Sequence, residues 1–321
     1  MRPFLASFIG SVAAQGVRVV APAHRWTAGF RHVGRQAHHL SDAALLLMLM
    51  TLFACMPVDW ASAIGGYVGR TIGPRLGISR RALRNLRCAM PENNESENQR
   101  ILLGMWDNLG RAMAEYPHLA RICAATCGRV EIVNEEAIVH LLTDEKPAIL
   151  FGGHFGNWQI GPTTIHRLMG TSLLSVYRRA NNPWVDRLLR RWLPSRCAVS
   201  KGAEGGRDLL RHLRRGGHVA MLVDQKQNDG IAVPFFGRDA MTAPAIARLG
   251  LHFDCPTVPI RVERLVGARF RFTVMPALEM TPTGDPAGDV RARMAQVNAV
   301  IEAWVRARPE QWLWLHRRWG D

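Results

Sequence analysis

The chain has 321 residues, of which 48% are hydrophobic, enough to bury a sizeable core in one large domain or in one domain with an appended segment, so overall disorder is excluded. Its formal charge of +15 favours polyanionic partners such as nucleic acid, acidic proteins or anionic lipid, without choosing among them. Six scattered cysteines form no disulfide framework, and Cys123 and Cys127, four apart with no second pair behind them, suit packing better than a metal.

The first 23 residues are only mildly apolar and lack the ordered pattern of a cleaved signal peptide. A stronger apolar run lies between Asp42 and Asp59, shorter than the roughly 20 residues that a helix needs to cross a bilayer. Arginines flank it on both sides, so it reads as an anchor near residues 43–58 dipping into the cytoplasmic leaflet, with a buried helix as the alternative. Short helices are predicted over Ala61 to Gly73 and Ile78 to Met90. The Pro91 to Glu97 stretch breaks the pattern and caps a longer helix running to about Leu119.

From Val130 the texture changes. Apolar runs at Pro147 to Phe151, Ser172 to Tyr177, His218 to Val223 and Thr257 to Val262 alternate with amphipathic stretches. This predicts an α/β fold with a mostly parallel central sheet flanked by helices, behind a helical N-terminal membrane-anchoring segment. The division expected is a helical part over residues 1–115 and an α/β part over 116–321. One more helix spans Asp289 to Arg306, and an aromatic tail runs from Gln311 to Trp319.

The chemistry concentrates in Ala148 to Ile160, AILFGGHFGNWQI, where a buried strand meets Gly152, Gly153 and His154 before a helix begins. Ligands and catalytic groups gather at such carboxyl ends of strands in open α/β sheets. Residues five apart on one helix point about 140° from each other, so His154 and Gln159 meet only if His154 lies in the turn and Gln159 in the first helical turn. Asp224 and Gln225 close another buried strand at the same sheet edge and are candidate site groups, with a turn cap as the alternative for Asp224.

GGHFGNWQ resembles the His-x4-acid block of the glycerolipid-type acyltransferase superfamily, and HFGNW is typical of its lipid A late acyltransferase branch. VYRRANNP, MLVDQK, VPFFGRDAMTAPAIARL and PEQWLWLHRRW are similar to that branch in the same order, so the resemblance covers most of residues 100–319. It implies acyl transfer from an acyl carrier protein thioester to a hydroxyl of a phosphorylated lipid A precursor, at the cytoplasmic face of the inner membrane. No cofactor, metal or nucleic acid takes part in that expectation. His154 would be the general base, since a histidine is suited to take a hydroxyl proton near neutral pH.

The chain departs from the pattern at Gln159, where the family places a carboxylate that would hold the imidazole tautomer and stabilise the imidazolium. An amide cannot ionise, so the expectation is impaired turnover, restored by Gln159→Glu. A nearby acid acting as substitute, Glu135, Glu136 or Asp224, is the less favoured explanation. The resemblance also implies that Arg178 contacts a phosphate and that Asp224 and Gln225 belong to the substrate site. Phe235 and Phe236, adjacent aromatics ending in Gly237, offer apolar walls for an acyl channel, with core packing as the alternative. Trp312, Trp314 and Trp319 beside Arg317 and Arg318 suit either a membrane interface or a core. The runner-up readings are an acyltransferase for lysophospholipid or glycerol phosphate, and a silent homologue that binds lipid or the acyl carrier.

Overall fold

The computed structural model describes residues 25–143, 146–169, 173–177, 180–192, 198–200, 203–279 and 283–319. The helical part holds α1 (Arg25–Ala54), α2 (Val58–Ile72), α3 (Ser79–Ala89) and α4 (Glu95–Glu115). Asn94 caps α4: its side chain accepts from the Glu97 N–H while the Glu97 carboxylate accepts from the Asn94 N–H. The helix stops at Glu115, short of the predicted Leu119, because Pro117 opens a tight turn over Tyr116–His118. Among the described residues no helix is long and apolar enough to cross a membrane.

Two helices of this part approach at backbone distance. A Cβ on Gly65 or Gly69 of α2 would strike the α4 backbone at Gly110 or Trp106, and one on Gly110 would strike Gly65. Only glycine permits that contact. The tight seam fixes how α2 turns its other face outward.

The seven-stranded sheet runs β1-β9-β8-β2-β5-β3-β4. Its strands are β1 (Val130–Val133), β2 (Ile149–Gly152), β3 (Leu173–Tyr177), β4 (Ala198–Ser200), β5 (His218–Leu222), β8 (Thr257–Arg264) and β9 (Phe270–Val274). All neighbours are parallel except β8 and β9, which form the antiparallel pair. The four predicted strands are present within a residue or two. The sequence reading missed β1, β4 and β9, and it missed a separate hairpin of β6 (Lys226–Phe235) and β7 (Arg238–Thr242).

That hairpin turns through Phe236 and Gly237, both at positive φ, the geometry of a two-residue type I′ loop. Phe236 holds this position for a bulky side chain because its N–H donates to Glu302 and its ring packs on Phe235, Trp314 and Trp319.

Successive residues of β2 point to opposite sheet faces, as a strand requires. Ile149 and Phe151 join Leu86, Leu102, Trp106, Val219 and Trp312 in one buried cluster, and Leu150 joins Leu46, Leu119, Val258 and Phe270 in another. Both clusters take side chains from before and after residue 115, so the helical part and the sheet share their cores. The predicted C-terminal helix is α10 (Pro286–Ala307), numbered after α5 to α9 at Glu135–Thr143, Ile160–Met169, Pro183–Trp192, Ala203–Arg214 and Ala245–Phe253.

Candidate active site

Strands β2 and β5 are adjacent and parallel with Gly152 opposite Leu222. Two residues beyond each strand end stand His154 and Asp224, so the register brings them side by side although 70 residues separate them. The imidazole Nδ1 donates to Asp224 Oδ1 at 2.8 Å, and the His154 backbone N–H donates to Asp224 Oδ2 at 2.7 Å. Trp312 Nε1 also donates to Oδ2, at 2.8 Å. Gly153 permits this approach, because a Cβ there would lie 3.2 Å from Oδ2.

Asp224 is fully buried. Burial alone would raise its pKa, but the charge and hydrogen bonds of His154, with His316 beyond, outweigh that and hold the carboxyl well below the usual carboxylate range. A permanent carboxylate on Nδ1 fixes the tautomer with its lone pair on Nε2. Gln225 Nε2 sits 3.2 Å from that atom and donates to it. The rings of Trp158 and His316 flank the imidazole, with centroids at 5.2 and 4.9 Å.

His154, Asp224 and His316 place one ligand atom each within 4.8 Å of one another, the composition of a metal site. Both oxygens of Asp224 are already engaged by three donors, so its geometry suits a base and its orienting acid rather than a coordination sphere.

The loop after His154 is fixed from two sides. Leu313 N–H donates to the His154 carbonyl, Gly156 N–H donates to the Gln311 carbonyl, and Phe155 bridges Trp312. Gly156 is at positive φ, and a Cβ there would meet the Val262 carbonyl. On the other side, Asn157 Nδ2 donates to Glu115 Oε2 at 2.9 Å, and Asn108 Nδ2 donates to the Gly156 carbonyl at 2.9 Å. Glu115 is buried, receives both terminal nitrogens of Arg264, and accepts from Ser62. Arg264 Nε donates to Asn108 Oδ1, closing the network.

Of the expected site residues, His154, Asp224 and Gln225 come together. Gln159 lies half-buried in the turn before α6, where its N–H donates to Asn157 Oδ1 and its carbonyl accepts from Thr163. The ring nitrogens it was expected to serve are engaged by Asp224 and Gln225. The acid weighed as the weaker alternative, Asp224, is therefore the one in contact with His154. Arg178 lies outside the described residues.

Phe235 and Phe236 are buried in an aromatic cluster, with Phe235 stacked on Trp319 at 5.6 Å and edge-on to Trp312 at 5.8 Å. This cluster backs the indole that holds Asp224. The membrane-interface reading of the tail is overturned: Trp312, Trp314, Trp319 and Arg318 are all buried. Arg318 donates to Thr242 and Asn298 and lies over the Phe235 ring. Sequence reasoning gave Trp312 no part in the site and missed Glu115, Asn108 and Arg264, whose partners are remote in the chain.

The family profile for bacterial lipid A biosynthesis acyltransferases matches residues 32–320. Similar proteins include the lipid A biosynthesis lauroyltransferase of Escherichia coli (strain K12), 27% identical over 250 residues, covering 73% of this chain and 76% of that one. The lipid A biosynthesis acyltransferase of Haemophilus influenzae is 25% identical over 280 residues, 84% of each chain. The lipid A biosynthesis myristoyltransferase of Escherichia coli (strain K12) is 27% identical over 295 residues, 89% of this chain and 87% of that one.

Proposed function

The chain belongs to the bacterial lipid A biosynthesis acyltransferase family, and we propose that it moves a fatty acyl group from an acyl carrier protein thioester to a hydroxyl of a phosphorylated lipid A precursor, with His154 as base and Asp224 as its orienting acid. The observation that carries this is the 2.8 Å bond from Nδ1 to a buried carboxylate, which leaves Nε2 as the proton acceptor. The acceptor hydroxyl takes the place of the Gln225 amide at Nε2 and gives up its proton there while its oxygen attacks the thioester carbonyl. The carbon–sulfur bond then breaks, and the imidazolium returns the proton to the leaving thiolate. Asp224 stabilises the imidazolium in between.

Membrane association is part of the proposal, and the exposed faces of two helices support it. On α2, Trp60, Ile64, Tyr67 and Val68 share one stripe, with Trp60 70% and Tyr67 63% exposed. On α1, Leu40, Leu47, Met48 and Leu52 are exposed as well. Trp and Tyr beside aliphatic side chains suit the headgroup level of a bilayer. In this reading the chain lies on the inner-leaflet surface of the inner membrane, facing the cytoplasm. Trp60→Ser with Tyr67→Ser should lower co-sedimentation with phospholipid vesicles in high salt, where surface charge is screened. Unchanged sedimentation would remove this face from the membrane.

The test of the reaction is a purified full-length chain given an acyl carrier thioester and a phosphorylated lipid A precursor. Mass spectrometry should show the precursor gaining one acyl group. His154→Ala should lose at least roughly 10²-fold in turnover, the scale of general-base catalysis. Equal turnover by that variant would end the assignment of His154. Transfer to lysophosphatidate but not to the lipid A precursor would favour the glycerolipid reading instead.

A further inference from the structure

Outside the His154 centre, the strongest feature is a cleft of about 480 Å³ along α3, lined by Arg80, Arg81, Arg84 and Arg87 with Ile78 and Leu83. Arg80, Arg84 and Arg87 follow one another at helical spacing, so their guanidinium groups share a face. Glu95 meets Arg87 through two hydrogen bonds at the far end. Four guanidinium groups around one cleft suit an anion with several oxygens, since each planar fork can donate twice to a phosphate.

The helix that lines the cleft also touches the tail beside His154. Arg81 donates to the Leu315 carbonyl at 3.4 Å, and Asn85 donates to the carbonyls of Trp314 and His316, each at 2.8 Å. The His316 ring is the one beside His154. The helix that carries the arginines thus also holds the wall of the imidazole. The tight turn over Gly73–Arg75 joins α2 to Gly77 and Ile78 of the cleft lining. Ile64, Tyr67 and Val68 are exposed on α2 itself.

An anion cleft on a helix that one tight turn joins to an exposed apolar helix, and that also holds the His316 wall of the imidazole, fits a lipid that carries a phosphate better than it fits a soluble anion. We propose that Arg80, Arg81, Arg84 and Arg87 form a phosphate subsite for the lipid acceptor, gripping a phosphate ester of its headgroup while its chains lie along the apolar face of α2. The link to turnover rests on the acyl-transfer reading above, whereas the binding itself does not.

The experiment compares the full chain with Arg80→Ala/Arg84→Ala and with Arg80→Lys/Arg84→Lys, sparing Arg81, which donates to the Leu315 carbonyl, and Arg87, which pairs with Glu95. Two readouts are needed. In steady-state transfer, the alanine pair should raise KM for the acceptor at least about tenfold, with kcat and the donor KM within about twofold, and the lysine pair should recover only part. Inorganic pyrophosphate should compete with the acceptor in the parent chain and lose that effect in the alanine pair. A rise in the donor KM instead would assign the cleft to the acyl carrier and overturn the proposal, as would unchanged KM values for both substrates.

The second readout needs no turnover: binding to phosphatidylcholine vesicles with and without a phosphomonoester lipid, phosphatidic acid. The parent chain should prefer the phosphomonoester vesicles, and the alanine pair should lose that preference. A parent chain with no preference overturns the subsite even if transfer occurs. A clear preference lost in the alanine pair, in a chain that transfers nothing, upholds the phosphate subsite while the proposed reaction fails.

Discussion

Asp224→Asn is expected to lower kcat by about four orders of magnitude while leaving the acceptor KM nearly unchanged. The magnitude comes from the same substitution in the serine protease triad, where the geometry survives but the wrong tautomer is held. The amide that replaces Asp224 would also meet three donors, the His154 ring and backbone and the Trp312 indole, with only one oxygen able to accept. Because the carboxylate strengthens its hold as the imidazole gains a proton, the loss should fall on turnover rather than on binding. Gln159→Glu makes the paired measurement. With Nδ1 already engaged by Asp224, a new carboxylate at 159 should change kcat far less than Asp224→Asn does. An Asp224→Asn enzyme within about tenfold of the parent, together with a Gln159→Glu enzyme faster by roughly 10² or more, would return the acid's role to position 159.

Glu115→Ala should destabilise the chain by about 3 to 5 kcal/mol, the usual cost of leaving one partner of a buried ion pair alone. Arg264 is buried and directs both terminal nitrogens at Glu115, and Ser62 and Asn157 lose their acceptor in the same change. A double change to Glu115→Met and Arg264→Leu should recover much of the stability, because apolar groups of similar volume avoid the desolvation that two charges incur. Urea unfolding midpoints measure both. Recovered stability should not bring full activity, since Asn157 would still lack the carboxylate that steadies the loop carrying His154. A Glu115→Ala chain within about 1 kcal/mol of the parent would show that the pair is solvated in solution.

The sequence announced the parts of this fold whose signal is local. Apolar runs bounded by Gly and Pro located β2, β3, β5 and β8, and the Asn94 box located the start of α4. Strand β1 is half-exposed and pairs with β9, remote in the chain, so nothing near Val130 marked it as part of the sheet. The hairpin was hidden because Phe236 occupies a turn position at which glycine or asparagine is the usual signal. At the site, His154 stood out through its glycines and the strand before it. The sheet edge made Asp224 a candidate as well, but the spacing to Gln159 drew the acid's role to the nearer residue. Only the register of β2 against β5 shows which of them meets His154, and register is not written in either strand alone. Trp312 carried the opposite ambiguity: its aromatic neighbours suited an interface or a core, and the indole N–H found its acceptor 88 residues back.

Parallel pairing also sets the order in which the molecule can assemble. The contacts that complete the centre join residues 70, 88 and 149 positions apart: His154 with Asp224, Asp224 with Trp312, and Glu115 with Arg264. Each closes a long loop, and that entropy is lost before the contact returns anything. Helices α2 and α4 are close enough in sequence to dock early through their glycine seam, whereas β2 lacks both neighbours until β5 and β8 have arrived. On that order a half-folded chain would have its outward apolar helix face in place before His154 meets Asp224. Slow folding and a tendency to associate through the unpaired edges of β2 are the kinetic consequence expected of a His154 site assembled from contacts so distant in the chain.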